Sequence, residues 1–321
     1  MKTKNNTALK QPFTALVAGG SGFIGSWLCK DLVSKGYKVV CIDNEITGNK
    51  NNIRELEKEK NFSFIKHDIT KPLRMSGIDF IFHMASPASP VHYQKYPVET
   101  LLANSAGTLN LLNLVKENNA KILYASSSEV YGDPKEHPQK ETYWGNVNPN
   151  GPRACYDEGK RFSEALVSSF PGVAWTIVRI FNTYGPGMNK NDGRVVPNFV
   201  NQAISGKPLT VYGGGKQTRS FCYVSDMVEG LERAMFTSKA DMEVINLGNP
   251  NEITMLELAN IVIKLTGSKS KTDFREIPTD DPTRRKPDIT KAKKILGWEP
   301  KVRIEDGLKT TVEYFRFIEA Q

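Results

Sequence analysis

Cysteine is scarce in this chain of 321 residues: four, Cys29, Cys41, Cys155 and Cys222, with no paired spacing. Histidine is equally sparse, with four dispersed residues. A disulfide framework and a zinc site of ordinary ligand spacing are therefore both excluded, and no metal is expected. No stretch approaches the roughly 20 apolar residues that span a bilayer. The start, residues 1–11, is polar and lysine-containing and lacks the apolar run of a signal peptide, so the cytoplasm is the expected compartment. Internal repeats and low-complexity blocks are also lacking.

What is present is a soluble globular composition. Hydrophobic residues make up 39% and charged residues 24%, enough chain and apolar content for one large or two modest domains with a core. Lys+Arg exceed Asp+Glu by 43 to 35, a net charge of +8. That excess suits a small anionic substrate as well as a nucleic acid. The basic residues are scattered, and their one cluster, residues 269–294, also holds Asp and Glu. No nucleic-acid surface is expected.

Residues 13–18 form a short apolar run that ends in Gly19-Gly20-Ser21-Gly22-Phe23-Ile24-Gly25. Helical periodicity follows over 26–35, then a second strand over 37–42 that ends at Asp43. Strand, glycine turn, helix, strand and acidic residue is the order of a dinucleotide-binding βαβ unit. The glycines let backbone amides reach the pyrophosphate, and the helix N-terminus adds partial positive charge. Asp43, about twenty residues beyond the turn, would accept from the adenosine ribose hydroxyls. A carboxylate there repels a 2′-phosphate, which favours NAD over NADP.

Further strands are expected over 62–65, 79–84 and 121–125. Asp68 could meet the adenine amino group or cap a helix. Pro87 and Pro90 bar helix after the fourth strand and suggest a rigid loop at the sheet's carboxyl edge, where ligands of such sheets bind. Residues 98–118 read as one long amphipathic helix whose Asn104 is either a buried structural amide, the favoured reading, or a site residue. The fifth strand runs into Ser126-Ser127-Ser128-Glu129, which is either substrate chemistry or ordinary turn chemistry. A strand over 174–181 precedes a less regular, cap-like region. There Arg194 and Arg219 suit a diphosphate, with surface arginine the alternative for each, and residues 209–215 read as a hairpin arm. Residues 221–235 and 243–247 read as a helix and strand rejoining the core.

The pair that organises the rest is Tyr156 and Lys160, four residues apart on a helix and so one turn apart on one face. A nearby ammonium should pull the phenol below its usual value of about 10, making a base for a sugar hydroxyl near neutral pH.

Glycine turn, serine-bearing fifth strand and Tyr-x-x-x-Lys, in this order, resemble the extended short-chain dehydrogenase/reductases that act on nucleotide sugars. Within that family, Ser86-Pro87-Ala88-Ser89-Pro90, Ser127-Ser128-Glu129-Val130-Tyr131-Gly132, Gly151-Pro152-Arg153-Ala154-Cys155-Tyr156-Asp157-Glu158-Gly159-Lys160-Arg161, Asn191-Asp192-Gly193-Arg194 and Arg285-Lys286-Pro287 are similar to the UDP-glucuronate decarboxylases. The resemblance implies an α/β fold: a Rossmann-type doubly wound parallel sheet with a smaller, mostly C-terminal substrate-binding domain. The division it implies is an NAD-binding domain at 13–182, joined again by 221–247, a nucleotide-sugar domain at 183–220 and 248–321, and a polar tail at 1–12.

It also implies roles. Tyr156, Lys160 and Ser127 would serve oxidation at the sugar C4, while Glu129, Arg285 and Ser128 attend loss of carbon dioxide and protonation at C5. Gly19, Gly22, Phe23, Ile24, Gly25, Asp43, Asn44, Asp68, Ile69, Ala85, Ser86, Tyr156 and Lys160 would hold NAD. Asn110, Asn182, Thr183, Arg194, Val211, Tyr212 and Arg219 would line the UDP-sugar site. A homodimer paired through the 98–118 and Tyr156 helices is implied as well. A UDP-uronate or UDP-hexose 4-epimerase is the runner-up. Dehydratase chemistry generally places an acidic pair after the catalytic hydroxyl, whereas here Ser128 precedes Glu129. One departure concerns substrate: Leu102 and Ala103 stand where the family commonly has lysine and threonine, which removes a possible partner for an anionic sugar.

Overall fold

The computed structural model describes residues 12–277 and 284–320. Most of the polar tail, and Asp280, Asp281, Pro282 and Thr283 before the Arg284–Arg285 strand, lie outside the described residues.

The first half alternates strand and helix: β1 (Thr14–Ala18), α1 (Phe23–Ser34), β2 (Lys38–Asp43), β3 (Phe62–Lys66), β4 (Phe80–His83), α2 (Pro90–Lys95), α3 (Pro97–Leu102), α4 (Thr108–Asn118), β5 (Lys121–Ser127), α5 (Ala154–Ser169) and β6 (Ala174–Ile180). The second half is more broken: β7 (Thr183–Tyr184), α6 (Val195–Ile204), β8 (Leu209–Tyr212), β9 (Thr218–Ser220), β10 (Cys222–Tyr223), α7 (Val224–Phe236), β11 (Glu243–Leu247), β12 (Glu252–Thr254), α8 (Met255–Thr266), β13 (Thr272–Arg275), β14 (Arg284–Arg285), α9 (Thr290–Leu296) and α10 (Ile304–Glu319).

Seven strands make one parallel sheet in the order β11-β6-β5-β4-β1-β2-β3. The order reverses at β1, which places a ligand crevice at the carboxyl ends of β1 and β4. The strands are apolar on both faces because helices cover both. Successive side chains alternate: Ala15 and Val17 join the cluster under α1 and α7, whereas Leu16 and Ala18 join the one under α4 and α5. Leu28, Leu32 and Leu231 are fully buried in the first cluster, so truncating one to Ala would cost about 2–5 kcal/mol. The four cysteines are free thiols.

In the second half, one strand departs from the sequence expectation. Residues 209–212 are not a hairpin arm: β8 pairs parallel with β13, far onward in the chain, with Leu209 in register with Thr272. Only hydrogen bonding to a distant strand defines this pairing, and no local turn announces it. β9 is sandwiched between β12, antiparallel, and β14, parallel, with Arg285 in register with Arg219. The expected helix over 98–118 contains a wide π-type turn at Ala103–Gly107. Its Asn104 amide donates to Thr100 O (2.9 Å) and to Ser86 Oγ (2.9 Å), tying the turn to the loop after β4. That loop is shorter than expected, because Pro90 opens α2 at a position where its missing N–H costs nothing.

Candidate active site

The carboxyl ends of the central strands open into a cavity of about 1300 Å³, joined by a smaller one of about 120 Å³. Gly19, Gly22, Met84 and Ser86 line both.

The smaller cavity is bounded by Asp43, Asn44, Asp68, Ile69 and Ala85. Gly19 has φ +81, and a Cβ there would sit 2.7 Å from Ala85 backbone, so only glycine lets the turn approach the β4 loop this closely. At Gly25 a Cβ would lie 2.2 Å from Gly19 O, fixing helix against turn. Gly22 precedes α1 without a side-chain cap, which leaves the helix N-terminus facing the larger cavity with Phe23, Ile24 and Gly25. The buried Asp43 carboxylate accepts from Ser21 N (3.1 Å) and Glu45 N (2.8 Å). Gly48 closes over it; a Cβ there would be 2.8 Å from Asp43 Oδ1, a requirement not visible in the spacing of the glycine turn. Burial alone would raise the Asp68 carboxyl, but hydrogen bonds from Thr70, whose N–H donates to Oδ1 (2.9 Å), and from Asn44, together with the nearby Lys71 charge, hold it below its usual range. The anion-facing turn, buried acceptor and narrow slot fit a dinucleotide.

In the larger cavity, β5 delivers Ser127 and the short 3-10 turn after it delivers Ser128 and Glu129. Helix α5 presents Tyr156 and Lys160 to the same space, and Asn182, Thr183, Arg194, Tyr212, Arg219 and Arg285 complete its walls. Lys160 Nζ donates to Ala125 O (2.7 Å) and lies 5.7 Å from the centre of the Tyr156 ring. The expected lowering of the phenol is reversed. Burial pushes Tyr156 up to about 12, against a hydrogen bond with Ser127, and depresses Lys160 to about 7. Held at about 7, Lys160 is only partly charged at neutral pH and gives the phenol less compensating charge than a fully ionised ammonium would.

Glu129 behaves in the opposite way. Burial alone would raise it, but Arg285 and Arg153 hold its carboxyl down at about 2. Arg285 Nη1 is bonded to Glu129 Oε1 and its Nη2 donates to Gly132 O (2.9 Å). Arg153 Nη2 donates to the other oxygen, Oε2, at 2.5 Å. Arg153 was not picked out as a site residue from sequence, although it stands in the family-like motif three residues before Tyr156 and precedes α5. Tyr93 was also missed. Its ring stacks on that of Tyr156 at 5.1 Å and 8°.

Arg194 is held in a fork by the buried Asp192, with Nη2 donating to Oδ2 at 2.7 Å. Three residues singled out in the sequence lie away from the walls of the larger cavity. Asn110 does not reach either cavity: its amide donates to Ile69 O (2.8 Å), bracing α4 against the loop of Asp68. Val211 is fully buried in the core, because strand alternation turns Thr210 and Tyr212 toward the cavity and Val211 away. Leu102 lines the smaller cavity with Glu99 and Asp68, not the cavity of Glu129 and Arg285.

Residues 16–311 match the family described as GDP-mannose 4,6 dehydratase. The chain belongs to this family of extended short-chain dehydrogenase/reductases. It is 53% identical over 304 residues to UDP-glucuronic acid decarboxylase 4 of Arabidopsis thaliana, spanning 94% of this chain and 68% of that one. To UDP-glucuronic acid decarboxylase 5 of the same plant it is 50% identical over 317 residues, spanning 98% and 92%. Among solved structures of the family's fold, UDP-glucuronic acid 4-epimerase from Bacillus cereus in complex with UDP-glucuronic acid and NAD superposes with a TM-score of 0.85 at 29% identity, over 95% of this chain and 100% of that one. UDP-glucose 4-epimerase of Thermotoga maritima with UDP-glucose gives 0.87 at 30% identity, over 96% and 100%.

Proposed function

We propose that the protein is an NAD-dependent UDP-glucuronate decarboxylase that forms UDP-xylose and carbon dioxide. The observation that carries this reading is the Glu129–Arg285 ion pair on the wall of the same cavity as Ser127, Tyr156 and Lys160. Relatives at about half identity over most of the chain bear the same activity in their names. Simple 4-epimerisation needs the second group of residues but gives the ion pair no task.

The Gly19–Gly25 turn, Asp43, Asn44, Asp68, Ile69, Ala85 and Ser86 would hold NAD. Bound there, NAD would supply the acceptor for the C4 hydride and return it at the end. Tyr156 Oη takes the proton of the sugar 4-hydroxyl, and Ser127 hydrogen-bonds the same oxygen. Lys160 steadies the phenolate. With C4 a ketone, the C6 carboxylate is β to a carbonyl. The C5–C6 bond breaks, carbon dioxide leaves, and the electron pair remains as an enolate across C5, C4 and O4. Orientation and charge control are what this step requires, and Glu129, Arg285 and Ser128 supply them before a proton is delivered to C5. Asn182, Thr183, Arg194, Tyr212 and Arg219 would hold the UDP moiety.

The same reading divides the chain into an NAD-binding part, 13–182 with 221–247, and a nucleotide-sugar part, 183–220 with 248–321. It also takes the protein as a homodimer: Val98, Leu101, Leu109 and Phe162 leave an apolar face exposed on α3, α4 and α5. Sedimentation at micromolar concentration should give twice the chain mass; a monomer would exclude the dimer. No helix among the described residues is long and apolar enough to cross a membrane. We place the protein in the cytoplasm, which cell fractionation tests.

Proton NMR of the protein with UDP-glucuronate and NAD decides the reaction. UDP-xylose with release of carbon dioxide is expected. UDP-galacturonate would instead make the protein an epimerase, the activity borne by its neighbours among solved structures.

A further inference from the structure

Residues 185–193 leave β7 and run to Arg194, which immediately precedes α6 and lines the larger cavity. Gly187 and Gly193 have φ +92 and +83, a region that L side chains avoid, so the backbone between them is free to move wherever nothing outside holds it. The far half of this loop is held by α6: the amides of Asn198 and Asn201 donate to Gly193 O (2.9 Å) and Lys190 O (2.7 Å). Met188 plugs the middle into the core. The near half is held from α1, where Trp27 Nε1 donates to Pro186 O at 2.8 Å. Trp27 stands four residues beyond Phe23, which opens that helix at the glycine turn, and its ring sits edge-on against Tyr223 of β10. A Cβ at Gly187 would stand 3.6 Å from both Phe23 and the Trp27 ring nitrogen, and Tyr314 of α10 reaches the Gly187 backbone as well.

We propose that Trp27 is a positioning residue for the sugar nucleotide: from the helix whose N-terminus faces the larger cavity, its indole N–H fixes Pro186 and, through the loop, the placing of the Arg194 guanidinium. This rests on the reading above in one respect, that Arg194 meets the UDP diphosphate. Arg194 commits Nε and Nη2 to the buried Asp192. Among the described residues its Nη1 has no hydrogen-bond partner, which leaves that donor for an anionic ligand. Asp192 and Arg194 are only two residues apart, so the ion pair makes the guanidinium rigid relative to the loop and not relative to the sheet. What orients the pair has to come from outside the loop, and α6 supplies it at one end and Trp27 at the other. A guanidinium placed in advance binds a diphosphate without the cost of ordering its loop, whereas a loose one meets that cost at each binding event.

Packing alone does not account for the contact. A phenylalanine would fill the space beside Tyr223, whereas the indole adds one donor and directs it to a carbonyl 159 residues away. The charged side chains on this stretch of the cavity wall, Lys30 of α1 and Lys190 of the loop, are exposed. Mobile in water, they add attraction for an anion at long range but fix no geometry.

The test compares wild type, Trp27→Phe and Trp27→His as NAD-loaded full-length protein. Phenylalanine keeps a ring against Tyr223 and removes the donor; histidine returns a ring N–H at similar reach. In Trp27→Phe, the dissociation constant for UDP, measured by calorimetry, should rise about three- to tenfold, and KM for UDP-glucuronate by the same factor, with kcat within about twofold. Amide hydrogen exchange across residues 185–193 should quicken before UDP is added, while the dissociation constant for NAD stays within about twofold. Trp27→His should recover most of the lost UDP affinity. Unchanged UDP affinity in Trp27→Phe, or phenylalanine and histidine variants weakened alike, would overturn the assignment, and wild type that still converts UDP-glucuronate would leave the decarboxylase reading intact. An equal loss of affinity for UDP and NAD would also overturn it, by making Trp27 a packing residue only. Wild-type protein that binds no UDP would remove the reading itself, and the inference with it.

Discussion

The tyrosine wall and the carboxylate wall of one cavity answer burial in opposite ways. Tyr156 and Glu129 are both withdrawn from water, and burial pushes both toward their neutral forms. For Tyr156 nothing charged outweighs it, and the phenol rises to about 12. For Glu129 two guanidiniums do, and the carboxyl falls to about 2. The tyrosine wall is thus poised to give and take a proton once a cation is bound beside it, whereas the carboxylate wall is a fixed charge. The difference separates two tasks that the proposed reaction also separates, proton removal at C4 and charge control at C6.

Substitutions on each wall should therefore fail at different steps. Tyr156→Phe should lower turnover by about 10²–10⁴-fold and abolish formation of reduced nicotinamide in a single turnover, with UDP-sugar binding nearly unchanged. Arg285→Met should leave C4 oxidation observable by absorbance but slow carbon dioxide release by about 10²–10³-fold, with NAD affinity little altered. If Tyr156→Phe turned over like wild type, or if Arg285→Met weakened NAD more than it slowed decarboxylation, the two walls would not divide the chemistry in this way.

Asp157 sharpens the same contrast through stability. Its carboxyl is raised to about 8 in the fold, against about 4 in an unfolded chain. A raised carboxyl favours the protonated fold, so its contribution is complete below about pH 4 and is lost as pH rises toward 8. Glu129, lowered to about 2, has the reverse sign: its contribution is present above about pH 4 and is lost as pH falls toward 2. Asp157→Asn should consequently gain thermal stability over wild type as pH rises from 4 to 9, by roughly 5 °C at the upper end. A difference in Tm that stays constant across that range would show that Asp157 does not carry the titration.

Much of the glycine turn and the slot beside it was legible because its signals are local. Gly19, Gly22 and Gly25 lie within one turn, and Asp43 ends the adjacent strand, so sequence order and spatial order coincide. The charge state of the reacting groups was not legible. Four-residue spacing placed Tyr156 and Lys160 on one face correctly, but the depth at which that face is buried decides the direction of both shifts, and burial is a property of the whole fold. The carboxylate wall is assembled from residues 129, 153 and 285, which meet only because β14 lies beside β9 and the loop 132–139 bonds to it through Gln139 and Lys286. Arg285 was found through family likeness rather than spacing. Arg153 stands in the motif of Tyr156 and was passed over, since a residue just before a helix reads as a boundary.

Leu102 gives the smallest and most discriminating test of that division. Sequence reasoning set it against the anionic sugar, but the structure puts it on the smaller cavity, which Asp43 and Asp68 also line and which is proposed above to hold NAD. It is 45% exposed there, so a lysine in its place would remain hydrated and exert only the modest influence of a surface charge. Leu102→Lys should tighten NAD by about two- to fivefold, the effect fading with added salt, because the new ammonium would face a bound diphosphate across partly open solvent. KM for UDP-glucuronate should stay within about twofold, since on the proposed reading the sugar lies in the larger cavity with Glu129 and Arg285, which this position does not line. The opposite pattern, a lower KM with NAD affinity unmoved, would return Leu102 to the substrate and place the sugar across both cavities.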